Sequence, residues 1–238
     1  MTAEVVPAAD ATGLAALRDL AGALLVVDVQ RSFADPAYLG EYGLDDAASA
    51  SVVSAIASIS ALVDSARSLG VPVVWIELGS EPGRVWHSSG WLRGAALDAA
   101  MSPDEPCVVG TPGAEWYGVE PAAGELRVVK RGYSGFFGTN LAERLRESGV
   151  EWVAVTGLTS ECCVAATATD ALQYDLPVVI PRDATAAYDV RINQNALEQL
   201  ALNVGQIITS ADLVTLFAAS APASAAALST LSGKHVHA

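Results

Sequence analysis

The stretch 151–184, EWVAVTGLTSECCVAATATDALQYDLPVVIPRDA, constrains the fold more than any other. It reads as a strand over 152–155, a tight turn at Gly157, a helix opening near Ser160 and a second strand over 178–180. Cys162 and Cys163 fall in the first turn of that helix, just past the carboxyl end of the strand. In an open α/β sheet that edge is where ligands bind. A helix N-terminus offers unpaired N–H groups and a partial positive charge, which acidify a thiol and cradle an oxyanion. The stretch therefore predicts a cysteine nucleophile, and the rest of the chain should supply a base and a cation.

The same alternation recurs along the chain. Residues 23–27 (ALLVV) form a continuous apolar run that ends in Asp28, the pattern of a parallel strand buried on both faces. Asp45 or Asp46 caps a predicted helix over 47–69, with Val53, Ile56, Ile59, Ala61 and Val63 as its apolar face. Further strands are predicted at 71–76, at 126–129 (ending in Lys130) and at 206–208. Further helices are predicted at 139–148 (capped by Thr139, with Asn140 and Glu143 as an approximate capping box), 193–202 and 210–217. The segment 79–125 is irregular and rich in Trp, Gly and Pro, with a short helix expected over 92–101. This alternation implies one α/β domain, a doubly wound parallel sheet of about six strands with helices on both faces. Its expected limits are 22–217, after an Ala-rich leader (1–21) with a short helix over 14–20 and before a flexible tail (218–238). No GxGxxG follows the first strand, which argues against a dinucleotide site.

Composition narrows the partners. The 238 residues are 52% hydrophobic, enough for a sizeable core, and carry a net charge of −14. That charge argues against nucleic acid, whose phosphates need clustered Lys and Arg. The leader lacks the basic and apolar regions of a secretory signal, and no stretch reads as the ~20 apolar residues that span a bilayer. Three cysteines, two of them adjacent, make no disulfide framework and point to a reducing, cytoplasmic setting.

Three predicted strands thus end at chemically useful groups: Asp28, Lys130 and the Cys162–Cys163 turn. Carboxyl ends of parallel strands share one edge, so the three can converge. A thiolate attacks a carbonyl carbon, a carboxylate moves the proton to the leaving amine, and an ammonium favours both anions. Backbone N–H groups at the helix start would receive the oxyanion.

DVQRSF, K-x-x-Y-S-G-F-F-G-T-N-L and G-L-T-S-E-C-C-V-A-A-T, in this order, resemble the isochorismatase-like cysteine hydrolases over roughly 23–217. The resemblance implies Asp28 as general base and acid, Lys130 as the cation and Cys163, which precedes Val164, as the nucleophile. It also implies a cis peptide at Leu158–Thr159, with the N–H groups of Thr159 and Cys163 as the oxyanion hole. Nicotinamidases of that family hold a metal with one Asp and several His between the first two strands. This chain has no His there, and no metal or other cofactor is expected. Isochorismatase itself works without the cysteine, so Cys163 favours amide hydrolysis. The loop KRGYSGFFGTNL is similar to the ureidoacrylate amidohydrolase group, although that group has an Arg near the position of Gly132, beside Arg131 here.

The resulting expectation is a cysteine amidohydrolase cleaving a small linear amide, a carbamoyl or ureido compound, through a thioester on Cys163. A vinyl-ether hydrolase of the isochorismatase type and a catalytically idle binding scaffold stay open as alternatives. Gln30, Phe33, Tyr38, Trp91, Tyr133, Phe136 and Phe137 are candidates to line the pocket. Cys162 reads as packing, Cys107 as carrying no chemistry, His87 as a loop residue, and His235 and His237 as idle. The family resemblance implies a homo-oligomer, a dimer or tetramer, and no membrane partner.

Overall fold

The structure, a computed structural model, describes residues 10–223. Helix α1 (Ala11–Ala16) is capped by the Asp10 carboxylate and leads into strand β1 (Gly22–Val27). Short helices α2 (Arg31–Ala34) and α3 (Pro36–Leu39) precede the long helix α4 (Asp46–Ser68), and β2 (Val73–Leu78) follows. Then come α5 (His87–Leu92), β3 (Leu126–Lys130), α6 (Leu141–Glu147) and β4 (Trp152–Leu158). A π-helical turn (Ser160–Val164) opens α7 (Ala165–Gln173), followed by β5 (Val178–Pro181) and β6 (Thr185–Ala186). The described chain closes with α8 (Val190–Asn203), β7 (Gln206–Ile208) and α9 (Ser210–Ala219).

All strand pairs are parallel, in the order β3-β2-β1-β4-β5-β7, with β6 pairing β4 beyond β5. The sheet has seven strands rather than about six, because two-residue β6 extends it past the end of β5. The direction of winding reverses between β1 and β4, and ligand crevices open at such a switch point. Alternate β1 residues feed two cores. Leu24 and Val26 join the side covered by α4 and α9, while Ala23, Leu25 and Val27 join the side covered by α6, α7 and α8. Every β1 residue is buried, which is why the run shows no polar alternation.

Several boundaries differ from the sequence reading for identifiable reasons. Asp45 caps α4, its carboxylate accepting from the Ala48 N–H at 2.7 Å. The buried stripe is Val52, Ala55, Ile56, Ile59, Leu62, Val63 and Ala66, and Val53 and Ala61 face solvent. By length and composition α4 is apolar enough to cross a membrane, which corrects the expectation that no stretch is; here its stripe packs on the sheet. Gly157 is not a turn but part of β4. At φ 122° it lets the strand pass so close to β1 that a Cβ would lie 2.0 Å from the Val27 carbonyl oxygen.

The helix expected over 92–101 forms over His87–Leu92 instead, and the end of the Ala-rich run that follows, at Ala100, pairs with Val85. Met101 N–H donates to the Arg84 carbonyl and Gly83 N–H to the Met101 carbonyl. The capping box at Asn140 does not form, since the Asn140 side chain caps nothing. Thr139 Oγ1 instead donates to the Gly135 carbonyl and accepts from the Leu141 N–H at 3.3 Å. Residues 10–21 are fastened to the sheet, through buried Leu17 and through the Ala21 N–H, which donates to Glu151 at 3.0 Å. Ala221 pairs with Ala21 at the other terminus, and His235 and His237 lie outside the described residues.

Candidate active site

Asp28 is the first residue past β1. It adopts φ 52°, a left-handed conformation costing a non-glycine residue about 1–3 kcal/mol, and its N–H donates to the Ile76 carbonyl at 2.8 Å. The β3 pattern buries Leu126, Val128 and Lys130 on one side and exposes Arg127 and Val129. The Lys130 stem therefore runs inward across the end of β2. Its Nζ lies 2.7 Å from Asp28 Oδ2, 3.4 Å from Cys163 Sγ and 2.9 Å from the Gly132 carbonyl oxygen. The ammonium donates to the Gly132 carbonyl and to the sulfur and pairs with Asp28 as an ion, and both Asp28 and Lys130 are sealed from solvent.

Cys163 arrives from the other side of the switch point, in the π-helical turn after β4. The Leu158–Thr159 peptide is cis, and the Thr159 carbonyl accepts the N–H groups of both Cys162 and Val164. The intervening Cys163 N–H takes no part in that pair of bonds. Thr159 Oγ1 donates to Glu161 at 2.8 Å.

Burial and neighbouring charge shift all three groups. Burial pushes the Asp28 carboxyl above the usual range, while the charge of Lys130 and the Cys163 thiol act against it. For Lys130, burial acts downward but is outweighed by Asp28 and Cys163, so the ammonium is held more firmly than in water. The Cys163 thiol is raised well above its ordinary value by its contact with the Cys162 thiol, by burial and by the charge of Asp28. The expected acidification by a helix N-terminus is thus reversed in the resting arrangement. The thiol and the carboxyl are both harder to ionise than in water, while the ammonium is held more firmly.

The other predicted residues scatter. Gln30 is used by the backbone: its Nε2 donates to the Leu78 and Ala114 carbonyls, both at 3.0 Å, and its Oε1 accepts from the Leu78 N–H at 2.9 Å. Phe33 packs on the α4 side of the core, and Tyr38 lies under the Arg31 guanidinium. Trp91 is 69% exposed on α5, and Phe137 is 81% exposed. Phe136 is a core residue stacked on Tyr174, with ring centroids 5.4 Å apart. Tyr133 is the aromatic brought to the sulfurs. Burial raises its hydroxyl's pKa, as do the nearby charges of Cys162 and Cys163.

The sequence reading missed Trp86, Tyr188 and Ser32. Trp86 packs against Tyr133 at 5.6 Å and carries the Arg84 guanidinium. Tyr188 donates to the Phe33 carbonyl at 3.0 Å and is held protonated by burial, with Tyr42, Glu161, Cys107 and Asp28 adding to the effect. Ser32 Oγ accepts from the Cys107 N–H at 3.0 Å, fastening the irregular segment beside Asp28. Cys107 is sealed, with its thiol pushed up by burial. His87 is not a loop residue but opens α5, with its ring bonded to the Leu97 carbonyl, and Arg131 turns outward to Glu81 at 2.8 Å. Among the described residues no group of three or more His, Cys, Asp or Glu is placed to hold a metal ion.

The isochorismatase domain model matches residues 22–212. The chain belongs to the isochorismatase family. It is 31% identical over 176 residues to the ureidoacrylate amidohydrolase RutB of Methylobacterium radiotolerans, covering 68% of this chain and 66% of that protein. It is 37% identical over 169 residues to the streptothricin hydrolase of Streptomyces noursei, covering 71% of this chain and 55% of that one. A cysteine hydrolase structure from Pseudomonas syringae pv. phaseolicola superposes with TM-score 0.69 at 22% identity, covering 91% of this chain and 98% of that one, a likeness of fold.

Proposed function

We propose that this chain hydrolyses the C–N bond of a small linear amide, a carbamoyl or ureido compound, through a thioester on Cys163. That it is an amidohydrolase in the broad sense follows from its family and its relatives. The nucleophile and the substrate are the proposed part. The observation that carries them is the closed contact of Asp28, Lys130 and Cys163 at the switch point of the sheet.

In this reading Cys163 Sγ attacks the amide carbonyl carbon as its proton passes to Asp28. The N–H groups of Thr159 and Cys163 receive the oxyanion, a contribution commonly worth about 2.7–4 kcal/mol per donor. Collapse breaks the C–N bond, Asp28 returns the proton to the leaving nitrogen, and ammonia or an amine departs. Water then gives a proton to Asp28 and attacks the thioester. The C–S bond breaks, the acid is released, and Asp28 hands the proton back to sulfur. Lys130 stays charged throughout and steadies whichever neighbour is anionic.

The test is ammonia release from ureidoacrylate, N-carbamoyl amino acids, biuret and nicotinamide, with Cys163→Ala as the blank. Release from a ureido or carbamoyl compound that vanishes in the variant supports the reading. Full turnover in Cys163→Ala would sink it in favour of vinyl-ether-type chemistry.

A further inference from the structure

The Lys130 ammonium is held by its own loop as well as by Asp28 and Cys163, since its Nζ donates to the Gly132 carbonyl at 2.9 Å. The place of that carbonyl therefore sets where the charge sits between base and sulfur. β3 ends at Lys130, so Gly132 lies beyond the ladder and the loop itself must fix the carbonyl. The loop is anchored three residues on, at Gly135.

Gly135 is tied on both sides. Its N–H donates to Thr167 Oγ1 at 3.0 Å in a buried bond, and its carbonyl accepts from Thr139 Oγ1 at 2.6 Å. It also lies flush on β2: a Cβ there would come within 2.7 Å of the Ile76 side chain, and the Ile76 carbonyl takes the Asp28 N–H at 2.8 Å. Thr167 is sealed from solvent, four residues past Cys163 on the helix that the cysteine turn opens. One glycine thus joins the loop of the lysine to the helix of the cysteine and to the strand that seats Asp28.

We propose that Thr167 is a positioning residue: through Gly135 it sets the Gly132 carbonyl, and so the Lys130 ammonium, relative to Cys163. The consequence for turnover rests on the roles proposed above for Lys130 and Cys163; the placement of the ammonium does not. Without the Thr167 oxygen the buried Gly135 N–H is stranded, and the loop must shift to satisfy it. The Gly132 carbonyl shifts with it, and a displacement of about 1 Å can cost on the order of 100-fold in rate.

The test compares Thr167→Val, which keeps the branched shape and removes the acceptor, with Thr167→Ser, which keeps the hydroxyl. Turnover is read as kcat and KM on the amide that the panel identifies. The rate of Cys163 alkylation by iodoacetamide is read against pH in a Cys162→Ser background, where Asp28, Lys130 and Cys163 are the ionisable groups in contact. Thr167→Val should lower kcat about ten- to a hundred-fold with KM little changed. It should also move the acid limb of alkylation to higher pH, the direction expected of Lys130→Gln, while Thr167→Ser stays near wild type in both. On a Lys130→Gln background, Thr167→Val should add nothing, because the group it positions is gone. Equal impairment in Thr167→Ser and Thr167→Val, or an effect of the same size with and without Lys130, would make Thr167 a packing residue and overturn the proposal. A Thr167→Val variant with wild-type kcat and limb would do the same and leave the amidase reading standing. Full turnover in Cys163→Ala would sink that reading instead, and the alkylation cycle alone then decides the role of Thr167.

Discussion

Asp28 and Lys130 form a 2.7 Å ion pair in which neither side chain reaches solvent. Removing one member of such a pair leaves a buried charge uncompensated and typically costs about 3–5 kcal/mol. Lys130→Met and Asp28→Asn should each lower the unfolding free energy from denaturant titration by an amount of that size. The Asp28→Asn/Lys130→Met double variant should recover part of the loss, since neither charge is then stranded, while remaining inactive. Losses that simply add in the double variant would mean the two groups are not coupled.

The pH dependence follows from the directions of the shifts. Burial raises Asp28, and the proposed base must be ionised to act, so kcat/KM should fall on acidification with an apparent pKa above the ordinary carboxylate value. Lys130 opposes that rise. In Lys130→Gln the acid limb should move to higher pH, read in kcat/KM or, where turnover is too slow, in the rate of Cys163 alkylation. An unmoved limb would show that Asp28 is not the titrating group. For stability the sign comes from Lys130, whose folded pKa is raised. Its contribution is complete below the unfolded value and is lost as pH rises through the folded one. The stability gap between wild type and Lys130→Met should therefore narrow only in strongly alkaline solution.

Gln30 separates positioning from recognition. Its amide spends both kinds of bond on the backbone of residues 78 and 114, joining the β2 end to the irregular segment above Asp28. Gln30→Leu strands those groups and should cost about 1–3 kcal/mol of stability. It should slow every substrate alike, leaving ratios of kcat/KM between amides unchanged. A selective loss for one amide would put Gln30 in contact with substrate.

Much of the site was legible because its residues terminate strands. The run before Asp28 is apolar because it is buried on both faces, so the first charged residue stands out, and Lys130 stands out as the charge that ends the alternating β3. The Cys162–Cys163 turn was legible as the segment after a strand at a helix start, and the family resemblance singled out Cys163. What stayed hidden depends on segments far apart in sequence. Gln30 bonds to positions 78 and 114, Ser32 to 107 and Phe33 to Tyr188. No local pattern encodes those pairings. The run at 95–100 has the composition of a helix, but its end at Ala100 and Met101 pairs with 83–85, a tertiary override of propensity. The π-helical turn also escaped notice, because it is set by a backbone bond from the Val164 N–H to the Thr159 carbonyl that no side-chain pattern announces.

Gly157 was misread for a related reason, as punctuation instead of contact. Its φ of 122° already disfavours any side chain, and a Cβ would meet Val27 at 2.0 Å to O and 2.7 Å to N, backbone atoms that cannot rotate away. Val27 precedes Asp28, and Gly157 precedes the cis peptide that leads into the cysteine turn. Gly157→Ala must push β1 and β4 apart at their carboxyl ends, where Asp28 meets Cys163. Overpacking and backbone strain together should cost at least about 3 kcal/mol. The protein that does fold should show kcat reduced more than KM, because the separation falls between base and nucleophile. Gly132→Ala is the control: there the added methyl meets Trp86 at 3.8 Å, an ordinary contact, and stability should change little. Equal stability losses in the two variants would refute the close-approach argument.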